Sequence, residues 1–311
     1  MNAAPTNRRN PNPLGLRSLR VLAADIGFTE GPVWTGEEIV VTSITRGELY
    51  AMTLAGGDAA PVAVMGGGPN GLAHDPATGQ VWVAQNGRVH MPVRPSVPAR
   101  APGIQSWHPE RGVVRHHTDP DSAPNDCVIG PDGLLWFTSP AGDPHEGTAR
   151  VGSVRTLAPA TGEVTTRWRT DGYPNGLAFG PRPDQLYVAE TRRGRIVELR
   201  VDPGGTLEPV RSARLERGYP DGLAVSADGH LLVAGTSSGT LEVLAPDLTT
   251  LGSVDLGAAS MPTNVCFAGP DLDHVVVTLA KGGRVVGLSC DTVGLAPTAA
   301  PIPSTTAEVR G

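Results

Sequence analysis

Six polar residues recur at similar intervals along this chain of 311 residues, and each opens a short apolar run. These ring residues, in chain order, are Glu30 in TEGPVW, Asn70 in PNGLAH, Asn125 in PNDCVI, Asn175 in PNGLAF, Asp221 in PDGLAV and Thr263 in PTNVCF. Successive members lie 40, 55, 50, 46 and 42 residues apart. Every ring residue carries a side-chain oxygen. If the six converge in space, their oxygens could bind a hard cation.

The segments between the ring residues read as short β-strands. A second apolar run follows each ring residue after a turn: EEIVVTS, GQVWVAQ, GLLWFTS, DQLYVAE, GHLLVAG and DHVVVTL. Further strand-like runs include GELYAMT, GRIVELR, GTLEVLA and GRVVGLS. A repeat of about 40–50 residues with about four strands is typical of a propeller blade. The sequence therefore predicts an all-β, six-bladed β-propeller of four-stranded antiparallel blades, with the ring residues at one mouth of its central channel.

The two ends of the chain and one internal segment depart from the repeat. Residues 1–14 are predicted to be a disordered arm, and residues 292–311, rich in Ala, Pro and Thr, a C-terminal tail. Residues 15–291 are predicted to form a single propeller domain. The longest interval contains HMPVRPSVPARAPG, within residues 86–104. This Pro-rich loop is expected to lie over one face of the propeller.

Composition restricts the class of protein. The 40 Gly and 30 Pro residues fit a turn-rich β protein, and the net charge of -6 without a long basic run argues against nucleic acid and anionic membranes as partners. No apolar run approaches the ~18 residues of a membrane span. Cys127, Cys266 and Cys290 lack CxxC spacing, which predicts free thiols in a reducing compartment. We expect a cytoplasmic protein with a small-molecule substrate. Its oligomeric state stays open.

The ring predicts a metal site. Asn or Asp before Gly also forms simple turns, and this alternative applies to Asn70 in particular. Glu30, however, is a poor turn former, and buried carboxylates and amides are costly without a partner. Calcium binds carboxylate, amide and water oxygens in flexible geometry, and Glu30 and Asp221 would balance its charge. One divalent ion is therefore expected, with Ca²⁺ favoured and Mg²⁺, Mn²⁺ or Zn²⁺ as alternatives. The absence of His from the ring disfavours zinc.

Several segments, in order, carry a family resemblance. FTEGPVW, APNDCVIGPDGLLWFTSP, YPNGLAFGPRPDQLYVAET and YPDGLAVSADGHLLVAG resemble the SMP-30/gluconolactonase/LRE family, which is related to the calcium-dependent diisopropylfluorophosphatase. The resemblance covers roughly residues 20–290. It implies a six-bladed propeller whose metal is held by Glu30, Asn175 and Asp221, with Asn125 contacting the metal or the substrate.

The resemblance also implies metal-dependent hydrolysis of a lactone or a related small ester at the channel mouth. Asp221 would act as a base, as a nucleophile or only as a ligand. Asn70, His74 and Thr263 are expected to line the substrate pocket with Asn125.

The chain departs from the family at Ala123, where sugar-lactone members commonly carry Arg, and at FTSP, where many carry FTDP. The missing guanidinium weakens the expectation of an aldonolactone substrate. Three alternatives stay open. They are phosphotriester or fluorophosphate hydrolysis at the same ion, a ligand-binding module with a structural ion, and a non-hydrolytic enzyme such as a lyase or a condensing enzyme.

Overall fold

The computed structural model describes residues 12–89, 91–143, 145 and 150–297. Its 24 strands form six four-stranded antiparallel sheets, which confirms the predicted six-bladed propeller. The helical content of the described residues is two short 3-10 turns, at Ile44–Arg46 and Thr191–Arg193. No helix in this part of the chain has the length and apolar character to cross a membrane.

Each blade has an innermost strand along the channel, followed outward by a second strand. The innermost strands are β2 (Thr29–Trp34), β6 (Pro69–Asp75), β10 (Cys127–Ile129), β14 (Pro174–Phe179), β18 (Pro220–Val225) and β22 (Pro262–Ala268). The second strands are β3 (Ile39–Ser43), β7 (Gln80–Gln85), β11 (Leu135–Ser139), β15 (Gln185–Glu190), β19 (Leu231–Gly235) and β23 (His274–Leu279). These second strands coincide with the six apolar runs predicted to follow the ring residues.

The third and outermost strands complete the blades. The third strands are β4 (Glu48–Met52), β8 (Gly103–His108), β12 (Gly152–Leu157), β16 (Arg195–Val201), β20 (Thr240–Leu244) and β24 (Arg284–Ser289). The outermost strands are β1 (Arg17–Ala23), β5 (Ala60–Val64), β9 (Gly112–Thr118), β13 (Val164–Thr170), β17 (Leu207–Arg214) and β21 (Thr250–Asp255). Blades 1 to 5 are therefore β2–β5, β6–β9, β10–β13, β14–β17 and β18–β21.

Blade 6 joins the two ends of the domain. Strands β22, β23 and β24 come from the end of the chain, and β1 from its beginning supplies the outermost strand by pairing with β24. Hydrogen bonding between β1 and β24 thus closes the ring of blades. The sequence repeat did not predict this exchange, because β1 precedes the first ring residue.

The core lies between blades rather than at a single centre. Six clusters of buried apolar side chains each fill one junction between neighbouring blades. In one of them Trp136 of blade 3 packs against Phe179 of blade 4. The second strands are covered on both faces, so β19 is buried at every position. This explains why these strands read as continuous apolar runs instead of alternating ones.

The predicted arm and tail lie partly outside the described residues, which begin at residue 12 and end at residue 297. Leu14 is buried and belongs to the cluster between blades 5 and 6. At the other end, Gly294 N donates to Leu272 O (2.8 Å) and Leu295 N donates to Val225 O (3.0 Å). The described parts of both end segments therefore contact the propeller.

Candidate functional site

The beginnings of the innermost strands surround a cavity of about 580 Å³ at one end of the central channel, which we term the upper mouth. Five of the six ring residues line it: Glu30, Asn70, Asn125, Asn175 and Asp221. The four expected metal ligands are therefore in one cavity, which two of the four expected substrate-binding residues, Asn70 and Asn125, also line. Four of the five are largely buried, and Asp221 is partly exposed.

A β-bulge lies at the ring position in five blades. The register between innermost and second strands shifts after Glu30, Pro69, Pro174, Pro220 and Pro262. A bulge bends the strand and redirects a side chain, which here places the ring residues at the channel.

Glycine follows the ring residue in four blades and allows close packing of their neighbours. A Cβ on Gly176 would lie 2.3 Å from the carbonyl oxygen of Asp221, and one on Gly31 would lie 2.6 Å from that of Asn70. Any larger residue would separate adjacent blades at the ring. The recurring Asn-Gly and Asp-Gly pairs are therefore required by blade packing as well as by the turn.

The hydroxyl group of Thr191 holds the ring residue of blade 4 in place. The Asn175 side-chain amide donates from Nδ2 to Thr191 Oγ1 (3.1 Å), and Thr191 Oγ1 donates to the carbonyl oxygen of Pro220 (2.8 Å). The same amide also hydrogen bonds to the Asp221 carboxylate. Because these contacts use the amide nitrogen, Oδ1 is the Asn175 atom left to bind a cation.

Two residues that sequence reasoning missed cross the channel below the ring. Asn264 of blade 6 donates from Nδ2 to Asp126 Oδ2 of the opposite blade 3 (3.3 Å), and we term this pair the septum. Asp126 and Asn264 each directly follow a ring residue. The other four blades have glycine at this position. The side chains of Asp126 and Asn264 fill the space that glycines of adjacent blades leave, since a Cβ on Gly71 would lie 2.1 Å from Asp126 Oδ1. This departure from the Gly pattern was the available sequence signal.

The carboxylates of the ring and the septum, those of Glu30, Asp126 and Asp221, repel one another. Burial, and then the neighbouring Asp126 carboxylate, raise the pKa of Glu30 to about 8. Burial raises the pKa of Asp126 to about 7, against hydrogen bonds that include the one from Asn264. The pKa of Asp221 lies well above its usual range because of burial and the charges of Glu30 and Asp126. A cation in the cavity would offset this repulsion.

The donor set fits a hard divalent cation. Glu30 and Asp221 offer carboxylates, and Asn125 and Asn175 offer amide oxygens. Asn70 Oδ1, also in the cavity wall, is buried and has no hydrogen-bond partner among the described residues. The same part of the chain contains no cluster of three or more His, Cys, Asp or Glu arranged to hold a metal. The candidate site thus depends on amides as much as on acids, as in calcium sites rather than zinc sites.

The structure does not bring His74 and Thr263 to this cavity. His74 lies four positions beyond Asn70 on β6, a distance of about 13 Å along a strand, and lines a second cavity at the opposite, lower mouth. The hydroxyl of Thr263 donates to the carbonyl oxygen of Thr29 (2.8 Å) and so links blade 6 to blade 1. The expectation that either residue would line a pocket with Asn70 does not match these positions.

Other residues of the cavity wall come from a second repeated position, two residues before the ring. Phe28, Tyr173 and Met261 occupy it in blades 1, 4 and 6, and all three line the cavity. Tyr173 and Met261 have left-handed backbones, with φ of 61° and 54°. Such strain is concentrated at functional sites. Ala123 occupies the same position in blade 3 and is buried.

The Pro-rich loop within residues 86–104 lies at the upper mouth. Val89 and Met91 line the cavity. The backbone nitrogen of Arg94 donates to the carbonyl oxygen of Thr45 (2.9 Å), and Pro98 accepts from Gly67 N (2.8 Å). The loop therefore forms part of the pocket wall beside blades 1 and 2.

Known proteins resemble this chain over most of its length. The family described as SMP-30/Gluconolactonase/LRE-like region matches residues 28–281, which contain all six ring residues. A pentonolactonase from Haloferax volcanii is 27% identical over 280 residues, covering 85% of each chain. A gluconolactonase from Zymomonas mobilis is 26% identical over 285 residues, covering 80% of this chain and 75% of that protein.

A solved structure supports the fold. Regucalcin from Agrobacterium tumefaciens, described as a calcium-binding protein, superposes with a TM-score of 0.72 at 19% identity. The match covers 91% of this chain and 97% of that chain. At this level of identity the likeness establishes the shared propeller.

Proposed function

The chain belongs to the SMP-30/gluconolactonase/LRE-like family, and from this premise we propose that it is a metal-dependent lactonase acting at the upper mouth. The observation that carries the proposal is the convergence of Glu30, Asn125, Asn175 and Asp221 on one cavity. The similarity to a pentonolactonase and a gluconolactonase supports lactones as the substrate class.

Calcium is the proposed ion, held by Glu30, Asp221, Asn125 and Asn175. The raised pKa values of Glu30 and Asp221 reflect a pocket that accommodates two ionised carboxylates poorly without a cation. When bound, the ion would supply Lewis-acid stabilisation of the charge that develops on the lactone carbonyl oxygen.

Asp221 is the proposed general base. Its carboxylate lines the cavity and accepts a hydrogen bond from the Asn175 amide, which fixes its orientation. Asp221 would hold a water molecule and accept one of its protons as the water oxygen attacks the carbonyl carbon. The bond between that carbon and the ring oxygen then breaks. The ring oxygen takes that proton back from Asp221, and the product is a hydroxy acid.

The cavity contains an arginine, but not at the position where sugar-lactone members of the family commonly have one. Ala123 supplies no guanidinium, whereas Arg150, on the segment between β11 and β12, lines the cavity. A Cβ on Gly142 of the same segment would lie 3.0 Å from Arg150 Cδ, so this glycine leaves room for the arginine. We assign Arg150 to the substrate side of the pocket, where it would attract an electronegative substituent.

Cys127, Cys266 and Cys290 are free. Free thiols are typical of a reducing compartment, which favours the cytoplasm as the place where this enzyme would meet a small-molecule lactone.

The proposal is tested by elemental analysis of the purified protein before and after chelation, paired with hydrolysis of a panel of lactones and small esters. One divalent ion per chain, with turnover lost on chelation and restored by calcium, is the expected result. Glu37→Gln removes a carboxylate in the exposed turn before β3, outside the cavity, and should behave as the unmodified protein.

Other outcomes would contradict the proposal in different ways. Stoichiometric metal without lactone turnover would favour a binding module or other chemistry, and a phosphotriester panel would then separate these two. Failure to bind any divalent ion, even when calcium is added, would remove the metal site itself.

A further inference from the structure

Blade 2 carries two unpaired amide atoms in the wall of the upper cavity. Asn70 Oδ1 and Asn86 Nδ2 are buried and have no hydrogen-bond partner among the described residues. Asn70 is 4% exposed and Asn86 is fully buried, and both line the cavity. A buried donor or acceptor without a partner is costly, so each atom is expected to meet a group that enters the cavity.

Asn86 is fixed by its surroundings. Its Oδ1 accepts a hydrogen bond from Arg88 N (3.0 Å), its backbone nitrogen donates to Gly68 O (3.0 Å), and its carbonyl oxygen accepts from Val89 N (3.2 Å). The contact with Arg88 identifies the bonded side-chain atom as oxygen, so the unpaired atom is the amide nitrogen. Asn86 therefore presents a donor and Asn70 an acceptor.

Gly68 makes room for this amide. It lies two residues before Asn70, the position that bulky side chains occupy in blades 1, 4, 5 and 6. A Cβ at Gly68 would lie 2.3 Å from Asn86 Oδ1 and 3.1 Å from its Cγ. At this position just before its innermost strand, blade 2 thus has an amide that follows β7 in place of a bulky side chain, and the cavity gains a second polar group there.

Asn70 is set firmly beside the proposed metal ligands. Its carbonyl oxygen accepts from Thr42 Oγ1 (2.9 Å), and the next residue, Gly71, donates from its nitrogen to the carbonyl oxygen of Asn125 (2.7 Å). Blade 2 stands between the blades that carry Glu30 and Asn125. A group bound by the two amides would therefore lie in the same cavity as the proposed ion.

We propose that Asn70 and Asn86 recognise a hydroxyl group of the substrate, which makes them specificity-determining residues. A hydroxyl is the simplest group that can donate to Asn70 Oδ1 and accept from Asn86 Nδ2 at once. An ether or carbonyl oxygen would satisfy Asn86 alone. The inference rests on the proposed lactonase function, and it assigns recognition of a substrate hydroxyl to these two amides, in a pocket where Ala123 offers no guanidinium.

The decisive variant is Asn86→Asp. It keeps the size of the side chain and the oxygen that accepts from Arg88, and it replaces the donor with an acceptor. The probes are γ-butyrolactone and α-hydroxy-γ-butyrolactone, which differ by one hydroxyl. We expect the preference for the hydroxylated lactone, measured as a ratio of kcat/KM values, to fall about tenfold. The ratio removes any effect of the added charge that both lactones share.

Two further variants sharpen the test. Gly68→Ala should reduce the same ratio, because the added Cβ displaces an otherwise unchanged Asn86. Gln80→Glu makes the same amide-to-acid change at the other end of β7, outside the cavity, and should leave the ratio unaltered.

Equal loss for both lactones in Asn86→Asp, or no preference in the unmodified protein, would overturn the inference. If neither lactone is hydrolysed, the lactonase proposal fails for these substrates. Calorimetric binding of the two lactones to the chelated protein then decides the inference separately. Tighter binding of the hydroxylated lactone, lost in Asn86→Asp, supports it, and equal binding overturns it.

Discussion

The two mouths of the channel are built from the same six strands and differ in almost every chemical respect. The upper cavity, about 580 Å³, is lined by carboxylates, amides and strained aromatic or thioether residues. The lower cavity, about 230 Å³, is lined mostly by apolar residues such as Val33, Leu223 and Phe267. Polar groups are concentrated where the innermost strands begin, and apolar groups fill the rest of each strand.

The septum separates these two environments. Asp126 and Asn264 line the lower cavity from its inner end, while Asp126 raises the pKa values of Glu30 and Asp221 above it. The comparison therefore assigns chemistry to one end of each innermost strand and cohesion to the other. Substitutions matched across the septum can test that division.

The largest effect is expected at the upper mouth. Asp221→Ala removes the proposed base and one of two carboxylate ligands, so kcat/KM for a lactone should fall by at least about 10³-fold. Calcium affinity, measured by calorimetry, should fall as well. The free energy of unfolding of the chelated protein should not fall, because the substitution also removes repulsion from Glu30. Surviving activity would show that the reaction occurs elsewhere.

The matched substitution at the lower mouth should act on stability alone. Phe267 is buried, lines the lower cavity and packs against Gly294, whose added Cβ would lie 2.3 Å from Phe267 Cβ. Phe267→Ala should lower the free energy of unfolding in urea by about 3–5 kcal/mol. At a temperature where the variant is folded, kcat should stay within about twofold. A large loss of kcat with little loss of stability would break the division between the mouths.

The septum should show an intermediate effect. Asp126→Asn removes a negative charge from beneath the proposed ion, so calcium affinity should fall about 10–100-fold, as for other groups that support a metal site. The same change removes repulsion on Glu30, so the chelated protein should become more stable. Calorimetry with calcium and thermal unfolding in chelator measure the two effects. Unchanged calcium affinity would make the septum a packing feature only.

The pH dependence of the chelated protein tests the same carboxylates without any substitution. The pKa of Glu30 rises on folding from its ordinary 4.5 to about 8, and that of Asp126 from 3.8 to about 7. Between the unfolded and the folded pKa of each group, the folded protein binds more protons than the unfolded chain. Its free energy of unfolding should therefore fall as pH rises through this range. A decrease in Tm of about 2–4 °C is expected for each kcal/mol lost.

Calcium should reduce this fall, because it stabilises the ionised carboxylates. Thermal unfolding in chelator and in calcium, from pH 4.5 to 8, measures both curves. A Tm that increases with pH in chelator would contradict the proposed crowding of carboxylates.

The sequence predicted the parts of the site that repeat with the backbone. Glu30, Asn175 and Asp221 were recognisable because each blade repeats one bulge and turn, and the second strands were recognisable because burial on both faces makes them apolar throughout. The family resemblance added their role as expected metal ligands. These features are local, so each can be recognised from a single segment of the chain.

The features that sequence reasoning missed depend on contacts between distant segments. Asp126 and Asn264 are 138 residues apart and meet only because opposite blades face each other across the channel. His74 follows Asn70 closely in sequence, but an extended strand carries it toward the other mouth. Asn86 reaches the cavity only because Gly68, just before β6, leaves space.

The closure of blade 6 has a consequence for the order in which the protein is made. The carbonyl oxygen of Arg17 accepts a hydrogen bond from the hydroxyl of Ser289, 272 residues later (3.4 Å). Strand β1 emerges first from the ribosome and has no sheet to join until β24 has been synthesised. The five other blades can form as they emerge, since each is continuous in sequence. The channel mouth that holds the ring residues is therefore completed last, when translation of the domain is almost finished.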